Sequence, residues 1–270
     1  MVSYKHTVDP RHASLREAFD RHALTYDERF SSLEATRAIR REIWHIADSL
    51  FPSGSSLLDL GCGTGDDAIH FAQRGMAVTA IDIAPAMIGL LETKAAAAGV
   101  RARIEVQVAE IETFEPRALA FDGVLSDFGA LNSVHNLLAL RKLATRALKP
   151  GGSLLLVVMG RLYPLETAVS LLKGDFRRAF RRLQDAPEVA VEGVRVSFHY
   201  HSPRDLSSAL GPDFSLQHLL GLRSVLPSVD WDHVSRFLPL RLVGAADRFA
   251  TTFRLTAPLA DLYLSIWRYR

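Results

Sequence analysis

Hydrophobic and polar positions along this chain follow two rhythms in turn. Over residues 14–50 apolar positions recur at helical spacing. Ile39, Ile43, Ile46 and Leu50 share one stripe up to the Pro-Ser-Gly break at 52–54, and Ser14 with Glu17 forms a candidate capping box. Beyond the break, apolar runs of strand length (56–60, 77–82, 102–108, 121–126 and 153–159) alternate with helical stretches at 65–74, 85–98 and 135–148. Strands alternating with helices of this length build βαβ units, so the pattern predicts a parallel sheet covered by helices. The Lys-Pro-Gly-Gly at 149–152 stops the last of these helices, because proline cannot continue it and glycine tolerates the turn.

The rhythm loosens after residue 160. The pattern predicts a basic amphipathic helix over 164–183, a period-2 stretch at 194–202, a short helix at 203–210 and an apolar stretch at 214–226. A mostly helical 230–256 follows, then a closing strand within 258–269. The organisation expected is a helical lead-in over 1–54, then one α/β domain over 55–270 with insertions near 160–202 and 224–256.

Composition narrows this modestly. With 270 residues, 48% of them apolar, the chain can bury a sizeable core. A formal net charge of +2 is too mild for the concentrated basic field of a nucleic-acid binder. The single cysteine, Cys62, excludes an internal disulfide framework and a cysteine-rich metal site. The first residues hold no apolar signal core, and the longest apolar run, Leu154–Met159, is far short of a membrane span. The expected protein is cytoplasmic, without a membrane span and without a metal.

The sharpest feature is Leu57-Leu-Asp-Leu-Gly-Cys-Gly-Thr-Gly-Asp66, where Gly61, Gly63 and Gly65 join a strand to a helix. Such a turn presents unpaired amides at the positive end of a helix, with no Cβ to hold a ligand off. In the dinucleotide pattern G-x-G-x-x-G the last position would be glycine, and here it is Asp66. A carboxylate at that helix start opposes a pyrophosphate. It suits a ligand that carries positive charge, and Asp59 just ahead fits the same need.

This stretch resembles motif I of the class I S-adenosylmethionine-dependent methyltransferases, and four further segments fall in that family's order. Val78–Ile88 ends a strand in Asp82, whose family counterpart takes both ribose hydroxyls, as one carboxylate can. Val108–Phe114 resembles the adenine-contacting segment, Phe121–Val134 the fourth strand with the loop facing the transferred methyl, and Leu148–Leu156 the motif before the fifth strand. The resemblance covers about 55–160. It implies a Rossmann-like α/β fold with a seven-stranded, mostly parallel sheet flanked by helices, an antiparallel C-terminal strand, and a helical N-terminal lid. It implies S-adenosylmethionine as cofactor, S-adenosylhomocysteine as product, and a donor site of Asp59, Gly61, Cys62, Gly63, Thr64, Gly65, Asp82, Ile83, Met87, Ala109, Glu110, Ile111, Ser126 and Asp127. Ala18–Phe30 resembles the lid of small-molecule members, whose tyrosine approaches the donor carboxylate. Tyr26 takes that place, although Tyr26 and Phe30 at i, i+4 also fit plain packing. The expected reaction is methyl transfer to an O, N or C nucleophile of a small molecule; the alternatives are an RNA- or protein-directed methyltransferase and a non-catalytic domain that binds S-adenosylmethionine.

Candidates for the chemistry are fewer. Asp127 either orients substrate or accepts a proton, or simply caps the backbone of 129–133; Asn132 and Ser133 fit helix caps. His135 is a candidate general base or a solvated histidine at a helix start. On a strand over 194–202, His199 and His201 share one face and Tyr200 takes the other, which makes the pair a candidate pocket lining. A metal there lacks a third ligand. Cys62 lacks a nearby histidine to activate it as a nucleophile. The segment 173–183 puts Phe176, Phe180 and Leu183 on one helical face and Arg177, Arg178, Arg181 and Arg182 elsewhere. Three uses compete: a solvated helix packed through its aromatic side, an RNA contact, and a membrane-surface patch.

Overall fold

The structure, a computed structural model, describes residues 10–223 and 254–270. The expected second insertion and helical stretch at 224–256 lie, but for their last residues, outside the described residues.

Two helices open the chain, α1 (Pro10–Tyr26) and α2 (Glu34–Leu50), joined through a π turn at Asp27–Ser31. Ser14 lies inside α1, so the expected capping box with Glu17 does not form the helix start. Strands and helices then alternate: β1 (Ser56–Leu60), α3 (Asp66–Gln73), β2 (Ala77–Asp82), α4 (Pro85–Ala97), β3 (Ile104–Val108), β4 (Phe121–Ser126), α5 (Leu137–Ala147) and β5 (Leu148–Met159). The helix expected from 135 starts two residues later, where the Asn136 side chain accepts from Leu138 N. β5 begins within the proline-glycine turn, and its pairing with β4 shifts register between Phe121 and Gly123 to absorb it.

Two strands complete the sheet, β8 (Phe214–Arg223) and β9 (Leu262–Tyr269). The order is β3-β2-β1-β4-β5-β9-β8. β1 pairs parallel to β2 and β4, and β9 runs antiparallel to both β5 and β8. This is the seven-stranded Rossmann-like sheet with its antiparallel closing strand. Two apolar layers sandwich it. Ile39, Ile43, Phe71 and Leu91 cover one face and Leu140, Leu143, Leu206 and Trp267 the other, each almost wholly buried.

The insertion after β5 departs from expectation twice. The helix expected over 164–183 breaks into α6 (Pro164–Leu172) and a single turn, α7 (Phe176–Ala179). Gly174 adopts φ +73° between them, and Asp175 caps the second piece through Arg178 N. The strand expected over 194–202 is shorter: β7 (Val194–Ser197) pairs antiparallel with β6 (Glu188–Val191), and residues 198–202 leave the ladder. α8 (Pro203–Leu210) follows, opened by a capping box of Ser202 and Asp205. α1 lies between α4 and the β6–β7 hairpin. Leu15 and Ala18 pack with Val196, while Ala23 packs with Ala84 and Met87.

Candidate functional site

In an open α/β sheet the crevice lies at the carboxyl ends of the strands, where the strand order reverses. Here that point lies between β1 and β4, and the glycine loop leaves β1 there. Gly61 N and Cys62 N donate to Ile81 O at 2.9 and 3.0 Å, which fastens the loop to β2. All three loop glycines have positive φ, and two of them admit a neighbour. A Cβ on Gly61 would sit 2.4 Å from Ala130 Cβ, and one on Gly65 would sit 2.3 Å from Leu91 Cγ. Gly63 differs. Its nearest neighbour is the Tyr26 ring at 3.9 Å, so the loop keeps room above its middle glycine.

A cleft of about 960 Å³, mouth included, opens over this loop. Its lining includes Gly61, Gly63, Asp82, Ile83, Met87, Ala109, Glu110 and Ile111. The same lining carries large apolar side chains: Leu15 and Phe19 from α1, Phe128 and Val134 after β4, Met159 at the end of β5, and Phe198 past β7. Tyr26 and Asp127 lie along it, and a smaller recess beside them is walled by Arg40 and residues 61–67. Ten residues expected at a donor site (Tyr26, Gly61, Gly63, Asp82, Ile83, Met87, Ala109, Glu110, Ile111 and Asp127) are therefore brought together, and Cys62, Thr64 and Gly65 line the recess.

Charge around the recess is unbalanced. Asp59, Asp67 and Asp127 are buried together, and Arg40 is the cation that meets them. Its Nη1 donates to Asp67 Oδ2 at 2.8 Å, while Trp44 Nε1 donates to Asp67 Oδ1 at 2.7 Å. Burial works against the Arg40 charge, but Asp67 and Asp127 more than offset it and hold the guanidinium protonated. Asp59 Oδ2 and Asp127 Oδ2 are buried without a hydrogen-bond partner. Burial first, and then the neighbouring acids, hold both carboxyls well above the ordinary carboxylate range. A buried acid left so holds its proton more readily than a free one, and a cation brought beside it would favour the ionised form.

Asp82 is the best-placed acid in the cleft. Its Oδ2 accepts from Gly63 N and its Oδ1 from Ala84 N, both at 2.9 Å, so each oxygen keeps a lone pair for a further donor. Burial lifts its pKa to about 6 despite those two amides. Asp66 plays another part than the one expected. It pairs with Lys94 at 2.6 Å, and Lys94 also reaches Asp27 and Thr64, so the charge set against a pyrophosphate is engaged in tying α4 and the π turn to the loop.

Other expected residues lie elsewhere. Asp59 and Ser126 sit beneath the cleft, Ser126 Oγ donating to Leu60 O at 3.0 Å. Burial pushes the Cys62 thiol up, away from the thiolate a nucleophile needs. The Asp127 carboxylate does not cap the backbone of 129–133 as expected: it accepts from Phe128 N, while Ala130 N donates to the Asp127 backbone carbonyl. Asn132 is no helix cap. It is buried, its side chain donates to the carbonyls of Met159 and His199, and so it splices the insertion to β5. His135, His199 and His201 line a second, polar cavity with Arg161 and Tyr200 and do not line the cleft. His135 Nδ1 and His199 Nε2 lie 2.9 Å apart, and His199 and His201 stack at 6.2 Å, so the two do share a side although the ladder has ended. Burial lowers His201 to about 4, so its ring is neutral near pH 7. Among the described residues no group of three or more His, Cys, Asp or Glu side chains is arranged to hold a metal ion.

The arginine segment reverses the expected packing. Phe176, Phe180 and Leu183 face solvent, while Arg178, Arg181 and Arg182 turn inward onto the buried Glu166, and Arg182 also reaches Asp261. Glu166, far from the arginines in the heptad count but beside them once Gly174 breaks the helix, is the reason.

The sequence reading missed Arg40, Asp67, His12 and Glu112. Arg40 stands on the apolar stripe of α2 among Thr36, Ile39, Ile43 and Ala47, and a lone cation in such a register was its signal. His12 lies 2.7 Å from Glu110 and 2.9 Å from Glu112 and closes α1 over the cleft; no spacing rule links residues so far apart.

Residues 57–152 match the family described as Methyltransferase domain. The chain is 32% identical over 148 residues to the ubiquinone/menaquinone biosynthesis C-methyltransferase of Geotalea daltonii, covering 53% of this chain and 62% of that protein. It is 31% identical over 144 residues to a ubiquinone biosynthesis O-methyltransferase of Xanthomonas axonopodis, covering 53% and 58%. The matched region thus spans about three fifths of those curated relatives. The fold is shared with geranyl diphosphate C-methyltransferase from Streptomyces coelicolor, at TM-score 0.64 and 15% identity over 98% of this chain and 100% of that one.

Proposed function

We propose that this chain, which belongs to the class I S-adenosylmethionine-dependent methyltransferases, transfers a methyl group from S-adenosylmethionine to a small apolar acceptor. The observation that carries this reading is the acid excess around the recess: buried Asp59, Asp67 and Asp127 against Arg40, with two carboxylate oxygens lacking a partner. That donor set fits a ligand bearing a sulfonium, an ammonium and one carboxylate, and it does not fit a pyrophosphate. Gly63, with room above it, lets such a ligand approach the backbone, and Asp82 offers a lone pair on each oxygen to a pair of hydroxyls. Ala109, Ile111, Ile83 and Met87 would flank its aromatic base.

When bound, S-adenosylmethionine supplies a methyl already activated by its sulfonium. The protein's task is then alignment and exclusion of water. Leu15, Phe19, Phe128, Val134, Met159 and Phe198 form an apolar chamber that would hold the acceptor, with α1 as its cover. Residues 1–54 serve in this reading as a lid on the domain of 55–270. Asp127, at the boundary between recess and chamber, is the residue placed to orient the acceptor or take its proton. The relatives named for ubiquinone biosynthesis methylate at C in one case and at O in another, and support a small-molecule acceptor here.

Calorimetric titration with S-adenosylmethionine, S-adenosylhomocysteine and NAD tests the donor. Binding of the first two, weakened about a hundredfold in Asp82→Ala, is expected; preferential NAD binding would overturn the assignment.

A further inference from the structure

Phe128, the second residue after β4, holds a backbone conformation that its side chain opposes. Its φ is +43°, in the left-handed region that a bulky residue rarely enters. Among the described non-glycine residues Leu119, Ala186 and Glu192 also have positive φ, and of these four only Phe128 lines the cleft. A glycine would take this turn without steric cost, as Gly129 does next at φ +82°. The surroundings hold the turn in place. Phe128 N donates to the Asp127 carboxylate, Ala130 N to Asp127 O at 3.1 Å, and Gly129 N to Val157 O at 3.2 Å. Strain that a fold maintains in this way gathers where a side chain is presented to a ligand.

The ring so presented belongs to both cavities. Phe128 is half-buried and lines the cleft as well as the smaller recess. Arg40 Cζ lies 4.7 Å from the ring centroid, and the Phe30 ring meets it at 5.2 Å and 88°. The guanidinium that answers Asp67 and the ring that lines the cleft are thus packed together, which fixes the ring. Phe19 from α1 and Phe198 past β7 line the same cleft, so three separate elements each supply it with an aromatic side chain. Aliphatic walls favour any apolar occupant in proportion to the area buried. Rings further favour a flat occupant whose π system they can meet face or edge on. We propose that Phe128 is a specificity-determining residue that selects planar, unsaturated acceptors over saturated ones of the same carbon skeleton. This selection rests on the methyl-transfer reading above and adds to it the shape of the acceptor.

The test compares two probes, 2-naphthol and its fully saturated decahydro analogue, each titrated near neutral pH into the full chain loaded with S-adenosylhomocysteine. A chamber acting through buried area alone binds the saturated probe at least as tightly. Expected instead is tighter binding of the planar probe, by about threefold to tenfold. Phe128→Leu, which keeps apolar bulk and removes the ring, should abolish that preference, and Phe128→Tyr should retain it. The readout is a ratio between probes in one protein sample, so a loss of fold or of donor binding weakens both together and leaves the ratio alone. Equal binding of the two probes, binding of neither, or a preference that Phe128→Leu leaves intact would overturn the proposal. If S-adenosylhomocysteine fails to bind the unaltered chain, the methyl-transfer reading falls and this selection with it; loading that succeeds without a preference between probes overturns the selection alone.

Discussion

Two clusters of buried charge hold this molecule together, and they are built to opposite accounts. Around Arg40 the carboxylates of Asp59, Asp67 and Asp127 outnumber the cation, and two of their oxygens find no partner. Around Glu166 and Asp261 the cations prevail, and Arg178, Arg181 and Arg182 occupy both oxygens of Glu166. The first cluster borders a recess and the second borders none of the cavity described. Burial alone therefore does not mark a site. Orphaned atoms alone do not mark one either, since Arg181 Nε of the second cluster is also buried without a hydrogen-bond partner; what sets the first cluster apart is an acid excess beside a recess that a ligand can enter.

Mutations can break this contrast. The largest stability loss is expected at Arg182→Met, which removes the guanidinium shared by buried Glu166 and Asp261 and should cost about 3–5 kcal/mol by urea unfolding, with donor affinity of the folded fraction unchanged. Asp127→Asn should do the reverse. Removing one of three crowded acids leaves stability unchanged or raised, while donor affinity in calorimetry falls by about tenfold to a hundredfold. If both variants lose stability and neither loses affinity, the two clusters are of one kind.

The glycine loop offers a subtler division. Gly65→Ala drives a Cβ into Leu91 and should lower the melting temperature markedly. Gly63→Ala meets only ordinary contact with Tyr26 and carries the strain of φ +52°, about 1–2 kcal/mol, so its main loss should appear in donor affinity. Equal stability losses at both would remove the distinction between packing glycine and ligand glycine.

Acidity sharpens the same point. The folded-state pKa of Asp82 is lifted from 3.8 to about 6, so the ligand-free fold binds its proton more readily than the unfolded chain. The stability this contributes is complete below pH 3.8 and is lost as pH rises through about 6. Acceptance from ligand hydroxyls favours the ionised form, so donor affinity should strengthen over that same interval and level off above it. Calorimetry between pH 5 and 8 checks this, and a flat profile would place the ribose hydroxyls elsewhere. The smallest effect is expected at His199→Gln, which alters the second cavity and should change kcat by less than about threefold; a larger drop would return the histidines to the chemistry.

The alternation over 56–159 was legible because each strand and helix there is set by its own short pattern, and a glycine loop must sit between β1 and α3 whatever surrounds it. Most residues of the proposed donor site followed from that local order, and they line one cleft and its recess. The insertion was not legible. Whether Phe176 or Arg182 faces inward depends on Glu166 and Asp261, which belong to other elements, and helical periodicity cannot report on a partner 79 positions away. Arg40 and His12 escaped for the same reason. Their meaning lies in what they reach across the fold, and a charged side chain among apolar ones signals only that something must answer it.

Arg40 carries one consequence for how the chain can be divided. The family match begins at residue 57, and a cut near 54 looks natural by sequence. Yet the guanidinium that answers Asp67 and Asp127 comes from α2, on the other side of that cut. A fragment starting at residue 55 would keep every glycine of the loop and lose the counterion that lets those aspartates stay buried. In thermodynamic terms the lead-in and the glycine loop fold as one unit, and any exchange of the lead-in must carry its arginine along.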